Sequence, residues 1–483
     1  MATQQFNERS DRRPGKPQQA VEAGAQLRRA LSVWGATAFV VTSMIGTGIF
    51  TVPAEVRFAA GNGVAALGVW ITGAALALFG AFCYAELATR MPKAGGEYQY
   101  LLNVYGRPWG FIGGWITFFA GFAAPTAASA IKAVEYFSRL APGWNPDALL
   151  ISGIDITQGE AAAALLPLLL ALPHSIGVKP SGQMQTTLAM MTVSAIVVFM
   201  VAGVSSGRGD WGGVTQGSQA TGAWLVALIQ VSFAYSGWNA AAYLAGEVAE
   251  PRRALPRALI GGTLAVAALY IALNLLYFYA LPAESWRPTL AVGQEAAERL
   301  FGVPGGKLVS AIITIIIVGA ISAWMATGPR IYYAVARDGL APSVFGRLGK
   351  RSQAPIVAIF TQAAIASVMA LTGAFGQLLL YVGSALLLIS ALTVAALYVV
   401  RRAPDDDPKR NFRVPGYPFT PAIYILLVIL SWIQTLQKEP MPAIYALATI
   451  AVGVAVYYVG RARGWIAIPS KTRSETETTG SDI

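Results

Sequence analysis

The sequence predicts an all-α polytopic membrane protein of twelve transmembrane helices. Two five-helix repeats of opposite orientation are expected, with helices 1 and 6 broken. Three observations predict this. The composition suits a bilayer: 55% of the 483 residues are hydrophobic and mean hydropathy is +0.54. Only 12% are charged, about half the ~25% usual in soluble proteins. The apolar residues gather into runs of spanning length, and two of those runs, five apart, are interrupted near mid-depth by small residues.

The twelve runs lie near 33–60, 63–89, 109–138, 161–178, 184–204, 221–249, 258–281, 307–336, 354–374, 376–400, 418–436 and 441–460. A bilayer core of about 30 Å needs about 20 apolar residues per helix. The third and eighth runs are longer and imply tilt or extension beyond the bilayer. The ninth and tenth are separated by little more than Gly373 to Gln377. The expected organisation is a disordered cytoplasmic tail over 1–30, repeat one over 31–204, repeat two over 221–400, helices 11 and 12 over 418–460, and a second tail over 461–483. The first tail is polar and basic and lacks the apolar core of a secretory signal.

The formal net charge is +11. In a soluble chain this would raise nucleic acid as a partner. Here the basic residues fall in alternate loops, so orientation explains them and no nucleic acid is expected. One set of loops carries Arg9 to Arg29, then Arg90, Lys93 and Arg107, then Lys179, then Arg252 to Arg257. It continues with Arg337 to Arg351, Arg401 to Arg413, and Arg461 to Arg473. The opposite loops hold only Arg139, Arg208, Arg287, Arg299, Lys307 and Lys438. Both termini are therefore expected in the cytoplasm, with an even number of spans.

The first run contains Ser43-Met44-Ile45-Gly46-Thr47-Gly48-Ile49-Phe50, followed by Pro53. Gly costs about 1 kcal/mol in a helix interior and Pro about 3. Broken backbone at membrane depth is tolerated where it lines a cavity or is buried in protein. Alone, the stretch fits either a ligand site or close packing against a neighbouring helix. The sixth run repeats the pattern at Phe233-Ala234-Tyr235-Ser236-Gly237-Trp238-Asn239. Five spans separate the two, so the broken helices run in opposite directions. That points to inverted repeats with a midplane site between them.

Each break exposes helix ends carrying about half a unit charge. Amides near Gly48 offer a positive end for a carboxylate. Carbonyls near Met44, Ile45 and Phe233 to Ser236 offer negative ends for an ammonium. A free α-amino acid fits this arrangement. No Asp falls within a span, and no central carboxylate for a dicationic amine is evident. Glu55 and Arg57 are expected on different faces, and Lys132 with Glu135 as a structural ion pair. Glu86, Glu247 and the lone His174 are expected at interfaces. Phe233 is expected to gate the site from outside, with Trp238 either lining it or packing.

At these residues the chain resembles the amino acid–polyamine–organocation superfamily, and its L-type amino acid transporter branch in particular. Met44 to Phe50 is similar to that family's first-helix break, and Phe233 to Asn239, with Glu247 and Pro251, to its sixth helix. Tyr84-Ala85-Glu86-Leu87 with Pro92 to Tyr98, Thr327-Gly328-Pro329-Arg330 with Ala336 to Gly339, and Phe412 to Pro418 resemble further family motifs in the same order. The resemblance implies the LeuT-type fold and alternating access. It implies that the amides of Thr47 and Gly48 hold the substrate carboxylate, and that the carbonyls of Met44, Phe233 and Ser236 hold the ammonium. Ile45, Gly46, Ala234 and Trp238 complete the site, Phe233 is the outer gate, and Asn239 supports the unwound segment.

One departure stands out. Many relatives carry a lysine in the fifth helix that bridges the first and eighth; here that position is Thr192. The region of Thr192 and Thr327 is the expected coupling site, with proton or sodium as the ion, and no cofactor or metal is expected. The lone Cys83 argues against a disulfide-linked heavy subunit. The expected function is secondary transport of α-amino acids, neutral ones foremost, by symport or exchange. The expected setting is a plasma membrane, that of a bacterial inner membrane, with lipid as the other partner. A carrier of polyamines or cationic amino acids and a non-transporting nutrient sensor are the alternatives. One His and no intraspan Asp leave little material for an enzyme.

Overall fold

The computed structural model describes residues 27, 29–151, 154–216, 224–287, 291–372, 375–402, 411–438 and 440–466. Most of the two expected tails lies outside them. Helix α1 (Val33–Met44) starts at Ser32, whose hydroxyl accepts from the Gly35 amide at 3.2 Å. This satisfies one of the orphan donors of a helix start. The helix stops at Met44, and α2 (Gly48–Ala60) resumes with its axis bent by 45°. Helix α3 (Gly63–Arg90) is capped by the Asn62 side chain, which accepts from the Ala65 amide at 2.8 Å.

Gly95 and Gly96, at φ +117° and +54°, then turn the chain into the short α4 (Glu97–Tyr105). The sequence reading gave this stretch no helix of its own. The third run is α5 (Arg107–Ile116) and α6 (Ala124–Ser138), joined through a π-helical segment at Thr117–Ala123. Pro125 explains the widening. It has no N–H for the Gly121 carbonyl, and its ring crowds that oxygen. The Ala124 amide instead reaches back five residues to the Phe119 carbonyl.

Strands β1 (Leu149–Ile151) and β2 (Ile154–Thr157) form an antiparallel hairpin before α7 (Gln158–Ile176). A capping box of Thr157 and Glu160 opens that helix. Helices α8 (Val178–Ser205) and the short α9 (Gly212–Thr215) follow. The sixth run is α10 (Trp224–Ala234), a non-helical turn over 235–239, and α11 (Ala240–Tyr243). Then come α12 (Pro251–Ala280) and α13 (Val292–Thr327), the latter kinked at Gly302 with φ +78°. Gly328 separates α13 from α14 (Pro329–Arg337). Helices α15 (Ile356–Ala370), α16 (Phe375–Val400), α17 (Phe419–Lys438) and α18 (Pro440–Ala462) complete the bundle.

Among the described residues nine helices are long and apolar enough to cross a bilayer, or ten if α1 and α2 form one bent span. The shorter apolar helices α10 and α15 stand where the sixth and ninth runs were expected. Leu165, Leu168 and Leu172 on α7, Val197 and Val201 on α8, and Leu426 and Leu430 on α17 are exposed. Such an apolar exterior suits lipid rather than water.

Helix partners are exchanged between the two halves. α3 packs on α12 and α7 on α15; α8 packs on α13 as α16 packs on α6; α7 touches α13 as α15 touches α6. Three polar residues expected at interfaces are buried within the protein. Glu86 is 0% exposed and pairs with Arg90 at 2.7 Å and Arg401 at 2.5 Å, while the Val414 amide also donates to it. Glu247, also 0% exposed, pairs with the buried Arg330 at 2.9 Å. His174 is hydrogen-bonded to Ser181 and Ser322, each at 2.9 Å. Arg90 and Ser181 are near in sequence, but Arg401, Val414, Arg330 and Ser322 come from distant chain segments that fold over these helix ends. Lys132 and Glu135 do pair, at 2.6 Å. Glu55 is bound by Gln230, and Arg57 by the carbonyls of Gly61 and Gln216.

Candidate functional site

The two breaks meet backbone to backbone. A Cβ on Gly48 would stand 2.5 Å from the Ala234 Cα, and one on Gly237 would stand 2.6 Å from the Ser43 carbonyl oxygen. Each break therefore needs glycine where the other crosses it. Gly237 also has φ +99°, a conformation that favours glycine.

A tyrosine ties the two ends together. The Tyr270 hydroxyl on α12 donates to the Met44 carbonyl at 2.5 Å and to the Ala234 carbonyl at 3.1 Å. Those carbonyls end α1 and α10, where four acceptors per helix lack an intrahelical partner. Around this contact the Thr47 and Ser129 hydroxyls lie 3.4 Å apart. Gly46 faces Ala320 and Trp324 closely enough that a Cβ would meet them at 3.3 and 3.7 Å.

A cavity lies against the second break. Phe233, Ser236, Trp238 and Asn239 line it, with Gly237 between them and Ser43 from the end of α1. The π segment supplies Gly121 and Phe122, and α13 supplies Trp324. Wide helical turns of this kind recur at functional sites because they re-aim side chains. Met44, Ile45, Gly46, Thr47, Gly48 and Ala234 are buried in the contact between the breaks rather than in the cavity wall. Thr192 is buried on α8, which packs on both α1 and α13. The Thr327 hydroxyl donates to the Ala323 carbonyl at 2.9 Å. Neither threonine lines the cavity.

The wall also contains a carboxyl group, from a residue that was not among the expected site residues. Glu97, 1% exposed, opens α4 and faces the cavity beside Asn239 and Tyr243. It accepts from the Tyr84 hydroxyl at 2.8 Å, from the Asn239 amide at 2.8 Å, and from the Tyr243 hydroxyl. Burial raises its carboxyl above the usual carboxylate range, and the three donors offset part of that. Glu97 lies between runs in the sequence, so it read as a loop residue. The glycine pair before it was the available signal. The turn at Gly96 presses against the Tyr243 ring, which a Cβ would meet at 2.5 Å. Tyr270 gave no such signal, because nothing local separates it from other membrane tyrosines.

Among the described residues no cluster of His, Cys, Asp or Glu has metal-binding geometry. Fold and site together define a helical membrane carrier with a small-solute cavity between two broken helices. The chain belongs to the amino acid permease family, whose model matches residues 31–457. It is thus a member of the amino acid–polyamine–organocation superfamily, similar to its L-type branch, and an amino acid transporter rather than an enzyme.

It is similar to the serine/threonine exchanger SteT of Bacillus subtilis (strain 168), 30% identical over 441 residues, covering 89% of this chain and 97% of that protein. It is 28% identical over 446 residues to the large neutral amino acids transporter small subunit 2 of Homo sapiens, covering 90% and 81%. The b(0,+)-type amino acid transporter 1 of Homo sapiens is 27% identical over 440 residues, covering 90% and 88%.

Proposed function

We propose that the protein moves neutral α-amino acids across a bacterial plasma membrane by alternating access, as exchanger or symporter. The observation that carries this is the meeting of the two breaks beside a cavity lined by Phe233, Ser236, Trp238 and Asn239. The amides of Thr47 and Gly48 hold the carboxylate, with Ile45 and Gly46 shaping the turn. The carbonyls of Met44, Phe233 and Ser236 hold the ammonium. Met44 O already accepts from Tyr270 and Phe233 O from the Ser236 amide at 2.9 Å, yet each carbonyl has a second lone pair. Phe233 is the outer gate.

Residues 31–204 and 221–400 are the inverted repeats, with 418–460 as two added helices; the exchanged helix partners support that division. Both termini lie in the cytoplasm by the loop charges. Cys83 is buried within α3, which supports a carrier without a disulfide-linked subunit. The similar exchanger of serine and threonine supports small neutral substrates.

Uptake and counterflow of a full amino acid panel in proteoliposomes test the reading. Counterflow of at least one neutral amino acid is expected, and none for any amino acid would overturn it. A cationic amino acid or amine is the second reading, favoured by Glu97 in the cavity wall.

A further inference from the structure

Glu97 is a buried carboxyl that has no counter-charge among the described residues. Its hydrogen bonds come from Tyr84, Asn239 and Tyr243, all neutral. Among the described residues no Lys, Arg or His pairs with it. The titratable groups around it are Tyr84 on α3, Tyr100 on α4, Tyr243 on α11 and Tyr424 on α17. None of them supplies positive charge. An isolated carboxylate in such surroundings is costly and takes up a cation or becomes neutral. Three donors already occupy its oxygens, so an ammonium would have to displace them, whereas a proton needs only the Tyr243 hydroxyl to turn and accept.

We propose that Glu97 is the proton-binding group of the transport cycle. The proposal rests on the reading of this protein as an amino acid transporter and names its coupling ion.

The hydrogen-bond arithmetic links that proton to the cavity. With Glu97 ionised, the Tyr243 hydroxyl accepts from the Asn239 amide at 3.0 Å and gives its one proton to the carboxylate. With Glu97 protonated, the carboxyl becomes a donor to Tyr243. The tyrosine oxygen, with two lone pairs, accepts from both neighbours, and its O–H is released. Tyr243 lines the cavity, so the released donor is available to a substrate there. The proton comes from water on one side, adds to a carboxylate oxygen of Glu97 and leaves to water on the other. On entry a hydronium O–H bond breaks as the carboxyl O–H forms, and on exit the carboxyl O–H breaks as a hydronium O–H forms, with no change of oxidation state.

The experiment uses the full chain in proteoliposomes with a pH-sensitive dye inside. Amino acid counterflow at equal pH is measured first; its absence in the wild type defeats the transporter reading itself. Given counterflow, net uptake should acidify the lumen and rise several-fold under an inward proton gradient of one pH unit. In Glu97→Gln the flux that remains should carry no proton and ignore the gradient. If wild-type uptake moves no protons, or if the variant still moves them, the proposal is overturned. It is also overturned if Glu97→Gln loses cationic substrates alone. Should Glu97→Gln carry no flux, Tyr84→Phe and Tyr243→Phe decide. Each removes a donor to the ionised form and should move the pH midpoint of uptake upward; unmoved midpoints in both overturn it.

Discussion

The hydroxyl of Tyr270 lies 2.5 Å from the carbonyl oxygen of Met44. The same hydroxyl reaches the Ala234 carbonyl at 3.1 Å, so one proton is shared between the ends of two broken helices. The ring is fully buried and meets Trp70 edge-on at 5.8 Å, which holds it in place. A single residue of α12 therefore ties the Met44 carbonyl, one of those assigned to the substrate ammonium, to the end of α10.

Removing that hydroxyl should be felt twice. Tyr270→Phe leaves two buried carbonyls short of a donor, at a cost of about 1–3 kcal/mol. The expected result is a lower unfolding temperature together with weaker amino acid binding, read by thermal melting with and without substrate. Wild-type values for both would mean that the bridge has no energetic weight.

The glycine contacts between the breaks make a sharper test of the site. Gly48→Ala and Gly237→Ala each place a methyl less than 3 Å from the opposing backbone. Backbone cannot step aside as a side chain can, so the two helix ends must separate. Counterflow should fall by at least tenfold in both. Gly68→Ala on α3 and Gly261→Ala on α12 meet nothing within 4 Å and serve as controls. They should transport normally and be stabilised by up to about 1 kcal/mol. Full activity in Gly48→Ala would remove the helix contact from the account.

The helices and both breaks were legible because their signals are local: apolar runs, and small residues where a helix should continue. Phe233, Ser236, Trp238 and Asn239 were legible for the same reason. Tyr270 and Glu97 were not, since each matters through partners between 13 and 226 positions away. The burial of Glu86, Glu247 and His174 was hidden likewise. A carboxylate at a helix end reads as interfacial until the segment that covers it is known.

The Glu247–Arg330 pair should show the asymmetry of buried charges. The side chains are 0% and 2% exposed and joined at 2.9 Å, and Arg330 also donates to the Ala326 carbonyl. Breaking such a pair leaves one buried charge uncompensated, at about 3–5 kcal/mol, whereas replacing both members with apolar residues can be near neutral. Glu247→Leu or Arg330→Met alone should therefore lower the yield of folded protein and its melting temperature. The double variant should recover most of the loss. If the double variant is as unstable as the sum of the singles, the two residues do not act as a pair.

Glu97 also predicts how stability depends on pH. Burial holds its folded-state pKa above the ordinary 4.5. Between the unfolded and folded values the native protein binds the extra proton, so stability falls as pH rises. The contribution is complete below the unfolded pKa and is lost as pH climbs through the folded one. Glu97→Gln has no such proton to lose. Thermal unfolding in detergent, repeated across mildly acidic to neutral pH, should give a melting temperature that declines more steeply in the wild type than in the variant. Subtracting one curve from the other cancels every other titrating group outside the contact shell of Glu97. Parallel curves would mean that the carboxyl titrates alike in the folded and unfolded chain, and that its burial beside Tyr84 and Tyr243 costs nothing.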